Sequence, residues 1–119
     1  MQESDYEDLL EKRRRWYKTI GKVYCPALET NVVFNSRGFK HLLYGGRGKL
    51  RPLTERFRRL NLLPQAISIV KKANHIHERR IQGESEYWEI LKRCSQRVFR
   101  VSVILSRNGI GQIIFLSII

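Results

Sequence analysis

The segment RVFRVSVILSRNGIGQIIFLSII, residues 97–119, decides the fold. In its first half Phe99, Val101, Val103 and Leu105 fall on every second position and share one face of an extended chain, with Val98, Arg100, Ser102 and Ile104 on the other. Asn108-Gly109 is a strong hairpin signal, because both residues tolerate the left-handed backbone of tight turns between antiparallel strands. Beyond it Ile114, Leu116 and Ile118 alternate with Ile113, Phe115, Ser117 and Ile119. The same period of two runs through His75–Gln82 and Glu86–Cys94, on either side of a turn centred on Gly83. Consecutive strands joined by short turns form a four-stranded antiparallel meander.

Upstream of residue 75 the period is helical. Tyr6, Leu9, Leu10, Trp16, Tyr17 and Ile20 give Ser4–Ile20 one apolar face, Ser4 and Glu7 fit a capping box, and Gly21 ends the helix. Its first half is acidic and its second half basic, which suits the helix dipole and allows Asp8–Lys12 and Glu11–Arg15 pairs. Between Lys22 and Asn35, β-branched and aromatic residues broken by Pro26 and Asn31 predict a strand, a turn and a second strand at Val32-Val33-Phe34. Gly38–Leu43 reads as one or two helical turns. Pro52 suits the first turn of a helix with Leu53, Phe57 and Leu60 inside and Arg56, Arg58 and Arg59 mostly outside. Pro64 is expected to start another, with Ala66, Ile67 and Val70 buried. The expected class is α+β, N-terminal helices packed on the four-stranded antiparallel sheet, with residues 1–21 a helical extension and 22–119 the domain proper.

A chain of 119 residues with 42% hydrophobic composition allows one domain with a modest core. The longest apolar candidate, Gly109–Ile119, is interrupted by Gly111, Gln112 and Ser117 and falls short of the roughly 18 residues a membrane span needs, so no membrane association is expected. The acidic start lacks the basic and then apolar regions of a secretory signal. Cys25 and Cys94 stand far apart and form no C-x-x-C pair, which fits buried thiols in a reducing compartment. A cytoplasmic location follows as the expectation.

The net charge is +12, and it is unevenly placed. Residues 1–11 hold five acids and no base, leaving 23 bases against six acids in the remainder. Such an excess, most of it arginine, suits a polyphosphate partner, because each neutralised phosphate releases condensed counterions and the guanidinium fork matches phosphate oxygens. RNA or DNA is therefore the first candidate partner. The loop Tyr44–Arg51, with glycines at 45, 46 and 48 and bases at Arg47, Lys49 and Arg51, reads as a mobile phosphate-contacting element.

Carboxylates are too scarce for a two-metal nuclease site, since only Glu29 and Glu55 occur between Gly21 and Asn74. His75 and His77 form H-x-H without further ligands at recognisable spacing, so neither a metal nor another cofactor is expected. RNA cleavage needs no metal. A 2′-hydroxyl can attack the adjacent phosphate once a base removes its proton and cations stabilise the phosphorane charge. His41 beside the basic loop is the candidate acid/base, with Arg51 or Arg56 at the phosphate and Ser117 as a hydrogen-bond donor. Tyr87 and Trp88 point to opposite faces of their strand, one for the core and one for base stacking.

Val32-Val33-Phe34, then Gly38-Phe39-Lys40-His41-Leu42, the basic loop to Arg51, Arg56 to Leu63-Pro64, Val101–Leu105, Arg107, Gly109, Gly111 and Phe115-Leu116-Ser117 resemble phage-associated members of the barnase–EndoU–colicin–RelE-like (BECR) nuclease superfamily. The resemblance covers about Lys22 to Ile119. It implies helices packed on a four-stranded antiparallel sheet and a metal-independent, often toxin-like, RNase. It also implies His41, Arg51 and Ser117 as catalytic residues with Arg56 and Arg107 supporting, and the bases Arg47, Lys49 and Arg100 are expected to hold substrate beside them. The chain lacks both the paired histidines of the EndoU branch and the acidic base of the barnase branch. The expected activity is endoribonucleolytic cleavage to a 2′,3′-cyclic phosphate, and the alternative is a non-catalytic RNA-binding module. An acidic antitoxin or immunity protein is the expected protein partner, which the acidic segment 1–11 weakly imitates.

Overall fold

A computed structural model describes residues 3–93 and 100–119; Cys94 and positions 97–99 of the third strand run lie outside them. Helix α1 (Glu3–Tyr17) leads through a tight turn to the hairpin of β1 (Lys22–Cys25) and β2 (Thr30–Val33). Helix α2 (Ser36–Leu43) and helix α3 (Leu53–Lys72) follow, and then β3 (Glu78–Gln82), β4 (Ser85–Arg93), β5 (Arg100–Asn108) and β6 (Ile114–Ile118). The class is α+β.

The last four strands are antiparallel neighbours, but the sheet holds six strands in the order β1-β2-β6-β5-β4-β3. The hairpin β1–β2 joins it through a parallel pairing of β2 with β6 at Val33 and Ile114, so the sheet is mixed rather than a four-stranded antiparallel meander. Alternation identifies a strand and leaves its partner open; here the partner lies at the other end of the chain.

Beyond Val33 the chain leaves the sheet, and α2 lies against β6. The approach is close enough that a Cβ on Gly38 would sit 2.2 Å from the Phe115 carbonyl oxygen and 2.9 Å from the Tyr17 hydroxyl. Only glycine fits there. Asn35 caps α2, its side chain accepting from the Arg37 amide, while the Tyr17 hydroxyl donates to the Asn35 carbonyl at 2.6 Å. Phe34 stacks on Phe115 with centroids 4.9 Å apart, and Tyr17 meets Phe34, Phe39 and Phe115 at steeper angles. Each such pair adds about 0.5–1.5 kcal/mol beyond area burial. Residues 1–21, expected as an extension, thus contribute Tyr6 and Tyr17 to the same core as Val32, Leu63 and Val103.

Strict alternation along β6 would place Phe115 and Ile118 on opposite faces. A bulge changes this: Ile104 pairs with Ser117 and Leu105 with Phe115, leaving Leu116 as the extra residue. Ile118 opposite Val103 and Phe115 opposite Leu105 are both fully buried as a result.

The two helices expected on either side of Pro64 are one helix, α3, with Pro64 inside it. Proline has no N–H to give the carbonyl four residues earlier, which here is that of Leu60. That carbonyl instead accepts the Arg13 Nε–H from α1 at 2.9 Å, so the break is repaired by a tertiary contact. Arg13→Ala should therefore cost about 1–3 kcal/mol in an otherwise unchanged chain, the cost of leaving a buried acceptor unpaired. In a Pro64→Ala background, where the residue-64 amide supplies the bond, the same change should cost close to nothing. Urea denaturation of the four proteins of this cycle checks it, and equal costs in both backgrounds contradict the repair.

Candidate functional site

Three elements converge where α2, the loop after it and the start of α3 face β6. Burying Gly38, Phe39, Leu42 and Leu43 leaves His41 half-exposed on α2. Three residues separate His41 from Gly38, about one helical turn, and two separate Ser117 from Phe115, a comparable rise along a strand. Asn35 and Arg37, before Gly38, share a pocket with Gln112 and Ile114, before Phe115, so the His41 turn lies on the Ser117 side, where Arg59 bonds Ser117.

Arg59 joins α3 to β6. It is only 7% exposed, donates from Nε to Glu55 Oε1 at 2.8 Å and from Nη1 to Ser117 Oγ at 2.7 Å. Glu55 also accepts from Arg58 Nη2 at 2.7 Å. Hydrogen bonds from Arg58 and then Arg59 pull the Glu55 carboxyl down to about 2, so it is ionised at any working pH and is a poor proton acceptor.

Arg51 is tied to α2. Its amide donates to the Leu43 carbonyl at 2.8 Å and its Nε to the His41 carbonyl at 3.1 Å. Arg56 donates from Nε to the Arg51 carbonyl at 2.9 Å and lays its guanidinium 4.8 Å from the Tyr6 ring centroid. Arg56 therefore braces the Arg51 backbone through its Nε.

His41 sits within this ring of charge. Burial first, and then the positive charges of Arg37, Arg51 and Arg59, hold its imidazole below the ordinary histidine value of 6.5. A ring that resists protonation beside fixed guanidiniums can accept a proton at neutral pH while the cations hold an oxyanion.

The glycine loop is more ordered than its composition suggests. Tyr44 and Leu50 pair as an isolated β-bridge, the Gly45 amide donates to the Lys49 carbonyl at 2.7 Å, and Gly46–Gly48 form a 3-10 turn. Arg47 and Lys49 are exposed at its tip, and Arg47 holds a left-handed φ of 65°. That conformation costs a non-glycine residue about 1–2 kcal/mol.

The remaining expected residues lie elsewhere. Arg107 bonds Glu86 at 2.6 Å and covers the Trp88 ring at 5.5 Å, which ties β5 to β4, and it shares a surface pocket with Arg37. Trp88 is the core member of the Tyr87–Trp88 pair, and Tyr87 is half-buried. Arg100 opens β5, but its side chain lies outside the described residues. His75 and His77 are exposed, and among the described residues no three His, Cys, Asp or Glu side chains group closely enough to hold a metal. No helix among the described residues is long and apolar enough to cross a membrane.

Arg59 is the residue that reading the sequence missed. Taken with Arg56 and Arg58 it looks like part of a solvated stripe, yet it falls four residues before Leu63, seven before Ala66 and eleven before Val70, all buried. That spacing on one helix face was the available signal. No family model matches the chain, and neither curated proteins nor solved structures show a significant similarity to it.

The Glu55 pairing generates a pH dependence. Its carboxyl titrates lower in the folded chain than in the unfolded one, so the pairing adds stability that is complete at neutral pH and is lost as the pH falls from 4.5 to about 2. Glu55→Gln should be less stable than the native chain at pH 7, with the gap narrowing through that window. Chemical denaturation at pH 7, 4 and 3 measures it, and a gap that stays constant down to pH 3 contradicts the assignment.

Proposed function

We propose that the chain is a metal-independent endoribonuclease that cleaves RNA by 2′-hydroxyl transesterification to a 2′,3′-cyclic phosphate. One observation carries the reading: a half-buried imidazole held below its ordinary pKa, with Arg37, Arg51 and a buried Arg59 as the charges around it. The resemblance to BECR nucleases and the scarcity of carboxylates support it.

In this reading neutral His41 takes the proton of the 2′-hydroxyl as the 2′-oxygen attacks phosphorus. The 5′-oxygen departs, and its proton comes from solvent or from the imidazolium just formed. Arg51 and Arg59 face the extra negative charge of the phosphorane, where fixed cations in a partly dried site act more strongly than in water. Ser117, only 6% exposed, acts on the phosphate through Arg59, whose Nη1 donates to its Oγ. Arg47 and Lys49 hold flanking phosphates from the loop tip, and a cytoplasmic setting with an acidic inhibitor protein suits so basic a face.

A second reading has its own observation. Glu55 is spent on Arg58 and Arg59, so among the described residues of this group His41 alone is suited to proton transfer. That favours a non-catalytic RNA-binding module on the same surface. Purified chain incubated with RNA in EDTA separates the two. The nuclease reading expects cyclic-phosphate ends and a loss of about 10²–10⁴ in rate for His41→Ala. Salt-sensitive binding with no cleavage supports the module, and full activity in His41→Ala removes the histidine from the mechanism.

A further inference from the structure

The face of α2 turned away from His41 forms one wall of a cleft of about 430 Å³ between that helix and the end of α1. Phe34, Phe39 and Leu43, all nearly buried, form its apolar floor, half-buried Tyr44 is the aromatic side chain open to it, and Arg14, Lys18 and Lys40 stand at its rim. No carboxylate lines it. The three basic residues are exposed, and the Arg14 guanidinium lies 5.5 Å from the centroid of the Phe39 ring. None of these side chains belongs to the His41 group.

We infer that this cleft is a nucleobase subsite, taking one unpaired base of an RNA strand against its aromatic wall while the rim cations hold the phosphates on either side. The inference rests on the RNA reading above and names where that RNA lies. An aromatic surface with an all-cationic rim is complementary to a flat ring carried on an anionic chain. An acyl chain would leave the rim unpaired with anything but a headgroup, and a neutral peptide would leave it unpaired altogether. Base-on-aromatic stacking combined with cations along the backbone is the usual physics of single-strand binding, and it tolerates any base. The volume falls in the range of pockets that enclose a small organic ligand. The placement is compatible with one strand serving both sites: α2 is about 10 Å across with its side chains, so a strand that leaves this cleft and bends over the helix reaches His41 a few nucleotides further on.

The subsite makes a demand on binding that is separate from cleavage. A 2′-O-methylated RNA hexamer cannot be cut by the proposed reaction, so its affinity reports binding alone. Tyr44→Ala should weaken its Kd about tenfold, in line with the loss of one stacked base. The double variant Lys18→Glu/Lys40→Glu, which alters only exposed side chains, should weaken it further and flatten its salt dependence. In the native chain the hexamer should shift the NMR amide signals of Phe39, Lys40 and Tyr44. If the chain cuts no RNA but shows these losses and shifts, the subsite stands and the nuclease reading falls. If it cuts RNA while both variants bind the hexamer as tightly as the native chain, the subsite falls and the nuclease reading stands. Absence of hexamer binding, or binding of vesicles of anionic phospholipid at this cleft in its place, overturns the inference.

Discussion

A buried guanidinium must be paired, and the pairing of Arg59 sets the geometry of everything around it. An ion taken out of water loses several kcal/mol of hydration, and removal of one partner from a buried pair typically costs about 3–5 kcal/mol. Arg59 meets this demand from two directions, with Glu55 one turn earlier on its own helix and Ser117 on the last strand. The start of α3 is thereby locked in register with β6. Since α2 is pressed onto β6 at Gly38 and tied to the following loop by Arg51, the same lock keeps Arg59 and Arg51 on the side of α2 that bears His41.

That arrangement uses arginine in two ways. Arg13 and Arg56 spend their donors on main-chain carbonyls and hold elements together, Arg13 at the gap left by Pro64 and Arg56 at the base of the loop. Arg37, Arg51 and Arg59 act on an imidazole that they discourage from charging. A basic protein commonly carries its charge on a solvated surface. Here part of the charge is structural, since Arg59 is buried and paired and Arg51 is bonded to the α2 backbone.

Much of the secondary structure was legible in the sequence, because the periods of two and of 3.6 are written in which residues must be buried. The C-terminal strands, the hairpin near residues 22–35 and the short helix bearing His41 fall where those patterns put them. What was not legible depends on contacts across the chain. Pro64 reads as a boundary until Arg13 is known to satisfy the Leu60 carbonyl. The β6 bulge reverses a face assignment that alternation alone would give. At the site, proximity of His41 to Arg51 could be read from ten residues of chain, whereas the Arg59–Ser117 bond spans 58 positions and has no local signature. Arg56 and Arg107 have contacts that composition does not show, each laying its guanidinium over an aromatic ring, Tyr6 and Trp88 respectively.

Burial, and then the charges of Arg37, Arg51 and Arg59, hold the His41 imidazole below its ordinary pKa. Titration of the His41 ring by proton NMR tests this directly, in the native chain and in Arg59→Met. The native chain should show a midpoint below 6.5, and removal of the Arg59 charge should raise it. A native midpoint at or above 6.5, unmoved by the substitution, would contradict this.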